Sequence, residues 1–299
     1  MSSGMRQLNN IDCLPIHTTV IFTGVFDLMR ILRVTVSLLF VIVLALFCIF
    51  KIQESSADTT YPVITIENPT LDVSIHATSD DLLAGVTAYD EKDGDLTHKI
   101  IVESISRFTE YGVCTVSYAV CDDDNHAVNA TRTIRYIDYT SPRFTLSGPL
   151  VYGISQNMSI RNRLGAIDSI DGDISSKVII TADEYSSAVA GKNFISAKVT
   201  NSKWDMISIE LPVYIENIPL SAPTITLQNY LVYVKAGDNL NIMENFVSAV
   251  DKEDADLSNT LQIDTNLDLD TPGVYEVHYR VYDAFEREGH SILIVIVEE

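Results

Sequence analysis

Three short acidic segments carry the residue types that could bind a cation. They share the pattern A-x-D-x-x-D-[GA]-D-[LI]-[TS] and cover residues 88–97, 166–175 and 249–258. Each segment places carboxylates at i, i+3 and i+5, and the aspartates are Asp90, Asp93, Asp95, Asp168, Asp171, Asp173, Asp251, Asp254 and Asp256. Calcium takes about six to eight oxygen ligands, several of them carboxylates. With Asp122 and Asp283 added from later in the first and third copies, the pattern is compatible with weak calcium sites.

Turn formation is the competing interpretation of the same aspartates. Asp closes turns by accepting hydrogen bonds from its own downstream amides, and Asp-Gly is a common turn pair. The third copy has Ala255 in place of glycine, which fits a turn that needs no positive φ. The segments also lack the regular alternation and distal Glu of an EF-hand. We therefore favour turn formation, keep calcium as the alternative, and expect no cofactor to be required.

The acidic segments belong to three copies of a longer unit. The copies open at Pro62, Pro142 and Pro223, and they close on final strands predicted at 131–137, 207–215 and 291–297. Short alternating strands with turn residues at regular spacing are typical of small β-sandwiches. The sequence therefore predicts an all-β protein with three tandem immunoglobulin-like β-sandwich domains, at 61–139, 140–217 and 218–299, after one N-terminal transmembrane or signal helix.

Period-two runs before each final strand predict the core. Tyr275, Val277, Tyr279 and Val281 share one face in the third copy, and His278 points to the other. The matching inward positions of the other copies are Cys114, Val116, Tyr118 and Val120 in the first, and Ile195, Ala197 and Val199 in the second. Cys114 is thus expected to be a core residue rather than a nucleophile.

The location depends on an apolar run at 34–50, which holds 17 residues without a charge. Arg30 and Arg33 precede it and favour an N-inside orientation. We predict a short cytoplasmic segment at 1–30, a signal anchor at 31–51 and a linker at 52–60. A cleaved signal peptide, or translation starting at Met29, are the alternatives that the sequence leaves open.

Composition excludes some classes of function. The net charge of −21 would repel nucleic acid. The motifs G-x-S-x-G, H-E-x-x-H, Walker A and G-x-G-x-x-G do not occur, and the six histidines are scattered. We therefore expect no enzymatic activity.

The repeat resembles a known family. The opening proline, the acidic pattern, Pro-Gly-Val-Tyr at 272–275 and Tyr-x-Val-x-Asp at 279–283 are similar to the bacterial immunoglobulin-like domain family first noted in pesticidal crystal proteins. The resemblance covers residues 61–299. The last hairpin departs from the family pattern Asp-x-x-Gly-Asn, most of all in the second copy, which reads Asn-Ser-Lys-Trp-Asp at 201–205.

The resemblance implies strings of modules on secreted or surface proteins of bacteria. We expect a membrane-anchored extracellular protein that acts as a surface stalk, an adhesion module or a protein–protein interaction module. Its partners would be the cytoplasmic membrane, through the N-terminal helix, and an unknown surface protein or glycan. The alternatives are a carbohydrate-binding accessory module of a secreted or surface enzyme system, and secretion after signal cleavage. An exposed coplanar aromatic pair would favour the carbohydrate alternative.

Overall fold

The computed structural model describes residues 17–55, 59–154, 159–183, 188–253 and 255–299. Helix α1 covers His17–Ser55, so it begins before the predicted anchor at 31–51 and includes part of the segment predicted to be cytoplasmic. Within α1, Leu28–Ile52 is long and apolar enough to cross a membrane, with a mean hydropathy of 2.7 and none of it buried against the rest of the chain. Residues 1–16, and Cys13 with them, lie outside the described residues.

The first repeat is a two-layer sandwich. One sheet has the order β1-β3-β4 and the other β2-β7-β6-β5. Its elements are β1 (Val63–Ile66), β2 (Thr70–Val73), α2 (Ser79–Leu83), β3 (Val86–Asp90), β4 (Gly94–Asp95), β5 (Ile101–Ile105), β6 (Val113–Cys121) and β7 (Ala127–Tyr136). Strand β2 runs parallel to β7. Pro69 lies where the chain leaves the first sheet for the second, and its missing amide hydrogen suits the end of a ladder.

The second repeat follows the same plan. Its sheets have the orders β11-β10-β8 and β12-β13-β14-β9, and Pro149 lies at the change of sheet. The elements are β8 (Arg143–Leu146), β9 (Val151–Gly153), α3 (Ile160–Arg163), β10 (Leu164–Asp168), β11 (Gly172–Asp173), β12 (Ile179–Asp183), β13 (Gly191–Thr200) and β14 (Met206–Glu216).

The third repeat has a smaller first sheet. Strands β15 and β17 pair in one layer, and the other layer has the order β16-β20-β19-β18. The elements are β15 (Thr224–Leu227), β16 (Leu231–Lys235), β17 (Phe246–Val250), β18 (Gln262–Thr265), β19 (Gly273–Tyr282) and β20 (Glu288–Glu298). The predicted all-β architecture after one N-terminal helix is confirmed, although β7, β14 and β20 begin one to four residues earlier than predicted.

Each sandwich encloses apolar side chains at the predicted inward positions. Cys114, Val116 and Tyr118 are fully buried in the first repeat, as are Val277, Tyr279 and Val281 in the third. In the second repeat Ile195, Ala197 and Val199 take these places. Because the side chains of a strand alternate between faces, Cys121 at the end of β6 is exposed while Cys114 is buried. The core prediction for Cys114 is confirmed.

Strand β20 is covered on both of its faces. Five consecutive residues, Ser291–Val295, are buried. Leu293 and Val295 face the core of the third repeat, whereas Ile292 and Ile294 join the core of the second. The second and third repeats therefore pack side by side over an apolar contact.

Candidate functional site

The first aspartate of each acidic segment closes a turn. Oδ1 of Asp90 accepts from the amides of Lys92 and Asp93 at 2.8 and 3.0 Å. Asp168 does the same with Ile170 and Asp171, and Asp251 with Glu253 and Ala255, all at 2.8 or 2.9 Å. Asp90 and Asp168 are buried, so these bonds replace the solvation that their carboxylates lose.

The last aspartate of each segment holds the turn that follows. Oδ1 of Asp95 accepts from the amide of Thr97 at 2.9 Å, and Asp173 and Asp256 accept from Ser175 and Ser258 in the same way. The hydrogen bonds from these Thr and Ser side chains and amides hold the pKa of the three carboxyls below its usual value. Each carboxylate therefore favours the folded turn in its ionised form.

The middle aspartate ties the acidic turn to the last hairpin of the same repeat. Oδ2 of Asp93 accepts from the amide of Asp123 at 2.9 Å. Asp171 accepts from the amide and the hydroxyl of Ser202 at 2.7 and 2.5 Å. Burial raises the pKa of Asp171, but the bonds from Ser202 and Lys177 outweigh it and leave the pKa lowered. Asp254, the middle aspartate of the third segment, lies outside the described residues.

The last hairpins share one conformation despite their different sequences. Their first residue accepts amide hydrogen bonds through Oδ1, from His126 to Asp122, from Lys203 and Asp205 to Asn201, and from Phe285 and Arg287 to Asp283. Their fourth residue has a positive φ, of 71° at Asn125, 69° at Trp204 and 61° at Glu286. The second repeat thus keeps the hairpin with an amide oxygen in place of a carboxylate.

Glycine has a specific role in two of the acidic turns. Gly94 and Gly172 adopt φ of 76° and 71°, where a side chain would be strained. The third repeat has Ala255 at this place, so the predicted turn without a positive φ concerns that repeat alone. At this turn the first and second repeats form short strand pairs, β3 with β4 and β10 with β11. The third repeat has a single bridge there, between Val250 and Asp256.

Every aspartate of the proposed calcium set that the structure describes thus accepts a hydrogen bond from its own repeat. Across residues 17–55, 59–154, 159–183, 188–253 and 255–299, no group of three or more His, Cys, Asp or Glu side chains is arranged to hold a metal ion. These hydrogen bonds explain the spacing of the aspartates in each segment by turn formation. Calcium binding stays a prediction.

The hairpin of the second repeat docks on the first repeat. The amide of Phe108 donates to the carbonyl of Lys203 at 3.1 Å, and the Arg107 guanidinium lies 3.6 Å from the centroid of the Trp204 ring. Oδ2 of Asp205 accepts from the hydroxyl of Tyr139 in the first repeat at 2.6 Å, and from that of Ser141 in its own repeat at 2.5 Å. The departure of residues 201–205 from the family pattern therefore coincides with a contact between repeats.

The contact between the second and third repeats is partly buried. At one end, Arg143 pairs with Glu298, and the Tyr233 hydroxyl accepts from the amide of Phe144 at 2.9 Å. At the other end, Tyr214 donates to Glu276 at 2.7 Å, and Glu216 meets His290 at 2.8 Å. The outward position predicted for His278 is correct, but that face of the sheet is covered by the second repeat and only 12% of the His278 side chain is exposed.

His278 and His290 are among the six histidines predicted to be scattered, but the fold brings their rings into contact. The signal that could have found them is the unbroken apolar run after His290, since strands buried on both faces lose their alternation.

Comparison with known proteins agrees with the repeat architecture. Residues 229–293, most of the third repeat, match the model of a family described as bacterial surface protein, Ig-like domain. This match confirms the predicted family resemblance. Over 257 residues the chain is 27% identical to the pesticidal crystal protein Cry22Aa of Bacillus thuringiensis. The aligned region covers 82% of this chain and 34% of that relative. The chain thus spans about a third of the relative's length.

Solved structures also match the Ig-like repeats. One holds the M60 catalytic domain with two CBM51 domains of Clostridium perfringens ZmpB, at 13% identity and TM-score 0.23, covering 80% of this chain and 31% of that chain. Another is Drosophila N-cadherin EC1-4, at 11% identity and TM-score 0.22, covering 81% of this chain and 76% of that chain.

Proposed function

We propose that the chain is a non-enzymatic bacterial surface protein, anchored by Leu28–Ile52, whose three Ig-like repeats form a stalk or adhesion module for a protein partner. The observation that carries the proposal is the direct joining of successive repeats, because Asp205 and Glu276 each receive hydrogen bonds from the neighbouring repeat. Fixed repeats can hold a binding face away from the membrane. We assign the domains to 61–139, 140–217 and 218–299, with residues 52–60 as the linker after the anchor.

The use of reactive side chains supports a non-catalytic role. Cys114 is enclosed in the core, and burial raises the pKa of its thiol. His126 is held against Asp122 at 2.8 Å, and His290 is held against Glu216 at the same distance. These nucleophile and base candidates are committed to packing or to pairs within the protein.

A protein partner is favoured over a glycan by the aromatic side chains. Exposed Trp204, which could stack on a sugar ring, already stacks on Arg107. Exposed Tyr111 and Tyr61 have ring neighbours in Tyr139 and His126, with interplanar angles of 55° and 36° rather than near zero. Sugar binding by a flat aromatic platform would require a different arrangement at these places.

The exposed thiol of Cys121 provides a test of location. A membrane-impermeant maleimide is added to intact bacteria that make the full chain, and the chain is then recovered for mass spectrometry of the Cys121 peptide. We expect labelling at Cys121 in intact cells and none in C121S. Labelling of Cys121 only after lysis would place the repeats inside the cell and overturn the proposal.

Partner chemistry needs a separate experiment. Cells with and without the chain are compared for adhesion to surfaces coated with extracellular proteins, and the purified chain is applied to a glycan array. Protein-dependent adhesion without glycan binding is the expected result. Saturable binding to one class of glycan would instead favour the carbohydrate-binding accessory module.

A further inference from the structure

Four titratable side chains form a continuous row across the contact between the second and third repeats. Nδ1 of His290 lies 2.8 Å from Oε1 of Glu216, and Nε2 of His290 lies 2.9 Å from Nδ1 of His278. Nε2 of His278 lies 3.4 Å from Oε2 of Glu276. The His290 side chain is 1% exposed and that of Glu276 is 10% exposed. Glu216 comes from β14 of the second repeat, and the other three come from β19 and β20 of the third.

The number of protons that this row can hold follows from its geometry. The row has three contacts, and each needs one N–H from an imidazole because the ionised carboxylates can only accept. Two neutral imidazoles carry two N–H groups, so one additional proton fills all three contacts. A second additional proton would make both rings imidazolium and set two N–H groups against each other across 2.9 Å. The closed contact therefore accommodates one imidazolium and opposes a second.

Charged and polar groups from both repeats pack around the row. From the second repeat, Lys192 of β13 pairs with Glu276 at 2.8 Å, and the Tyr214 hydroxyl of β14 donates to the same carboxylate at 2.7 Å. The Tyr214 ring meets His278 and His290 edge-on, with centroids 5.1 and 5.9 Å away.

The third repeat adds Arg280 of β19, which pairs with Glu288 of β20 at 2.8 Å. Burial, and then the charges of His290 and Arg280, lower the pKa of His278. Burial raises the pKa of Glu276, but the hydrogen bonds from Lys192 and Tyr214 outweigh burial and leave the pKa lowered. Burial likewise raises the pKa of Glu216, and the bond from His290 brings it below its usual value.

We propose that the row Glu216–His290–His278–Glu276 is a pH-sensitive clasp that holds the second and third repeats together near neutral pH and releases them in mild acid. Release would uncover Ile292 and Ile294, which the second repeat covers in the closed form. The inference does not depend on the proposed surface role, since it concerns only the contact between two repeats.

The direction of the effect follows from proton linkage. A histidine in separated repeats has an ordinary pKa of about 6.5, and His278 in the closed contact has a lower one. At His278 the closed form therefore binds fewer protons than the open form, so protonation of this ring favours the open form. The contribution of His278 to closure is fully present above about pH 6.5 and is lost as the pH falls below it. One proton changes the closing equilibrium by at most about tenfold per pH unit.

Hydrogen exchange of the full chain in detergent micelles tests the proposal. Exchange is measured by mass spectrometry between pH 7.5 and 5.5, after correction for the intrinsic pH dependence, in peptides from 206–216 and 288–298. We expect protection in both peptides to fall by up to about tenfold between pH 6.5 and 5.5. The peptide over 113–121 in the first repeat, distant from the clasp, should keep its protection.

Two variants distinguish opening of the clasp from a general loss of stability in acid. H278N/H290Q removes both titratable rings and should make protection of the two peptides independent of pH in this window. E216Q keeps an oxygen that can accept from His290 but removes the charge, so it should move the midpoint to higher pH. H126Q, at the other partly buried histidine–carboxylate pair, is the matched control and should behave like the parent chain.

Three results would overturn the proposal. One is equal protection at pH 7.5 and 5.5 in the parent chain. Another is the same loss of protection in H278N/H290Q as in the parent chain. Where the double variant does not fold, an unchanged midpoint in E216Q would be the third.

Discussion

The Tyr139 hydroxyl, at the end of the first repeat, donates a 2.6 Å hydrogen bond to Oδ2 of Asp205 in the second. Tyr139 is 5% exposed, and burial, followed by the bond to Asp205, raises the pKa of its phenol. The same hydroxyl accepts from Nδ2 of Asn201, which also donates to Asp168 at 3.0 Å. The acidic turn and the last hairpin of the second repeat are thereby joined to the end of the first.

Removal of the Tyr139 hydroxyl should weaken the coupling of the first two repeats. A hydrogen bond to a charged group contributes about 1.5–3 kcal/mol, so Y139F should destabilise the chain by an amount in this range. Urea unfolding of Y139F, D205N and the double variant would give the coupling free energy by a double-mutant cycle. Y89F, at an exposed tyrosine, is the matched control and should be neutral within about 0.5 kcal/mol. Strict additivity of Y139F and D205N would contradict the coupling.

Substitution of Asp90 distinguishes turn formation from calcium binding. D90A removes the acceptor of two part-buried hydrogen bonds, from the amides of Lys92 and Asp93, and should cost about 1–3 kcal/mol at about 0.5–1.5 kcal/mol for each bond. D90N keeps an oxygen that accepts the same two bonds and should restore most of the loss. The measurement is the thermal melt of each variant with calcium and with excess chelator.

Calcium binding makes the opposite prediction for the same pair of variants. A metal ligand set loses affinity with either substitution, because Asn lacks the carboxylate charge. Calcium would then raise the melting temperature of the parent chain more than that of either variant, because the set in the first repeat is lost. Identical melts of the parent chain in calcium and chelator, together with recovery in D90N, would leave turn formation as the explanation.

The last aspartate of each acidic segment should give a second loss of stability, in stronger acid. The pKa of Asp95, Asp173 and Asp256 is lowered in the folded chain, relative to an ordinary value of about 3.9. The folded state therefore binds fewer protons, and the contribution of these groups is present above about pH 4 and is lost as the pH falls through their folded pKa. Urea midpoints should decline as the pH falls below about 4. D95N/D173N/D256N should show a shallower decline, and an equal decline would refute this assignment.

Two buried tyrosines hold equivalent segments in the first and third repeats. Tyr118 donates to the carbonyl of Leu82 at 2.7 Å, and Tyr279 donates to that of Ile242 at 2.6 Å. Y118F and Y279F should each destabilise the chain by about 0.5–1.5 kcal/mol, because the phenyl ring keeps the packing and only the hydrogen bond is lost. Chemical unfolding measures the effect, and the exposed variant Y89F again serves as the control. A neutral Y118F would mean that water replaces the lost donor.

The repeated pattern was sufficient to predict most of the fold. Alternation identified Val116, Tyr118, Val277 and Tyr279 as core residues, since a strand in a two-layer sandwich must place every second side chain inward. The short helices α2 and α3 escaped prediction because four or five residues are too few to show a helical period. The conformation of the acidic turns was predicted in kind, because Asp and Gly act on their nearest neighbours along the chain.

The sequence by itself thus determined the strands, the turns and the apolar helix, all of which depend on residues close in the chain. Only the tertiary structure decided which outward faces are covered. His278 and Ile292 alternate outward like their counterparts in the other repeats, yet the second repeat covers them. Asp205 meets Tyr139 across 66 residues of sequence. Such contacts depend on how two finished sandwiches fit together, and that fit leaves no period or motif in the local sequence.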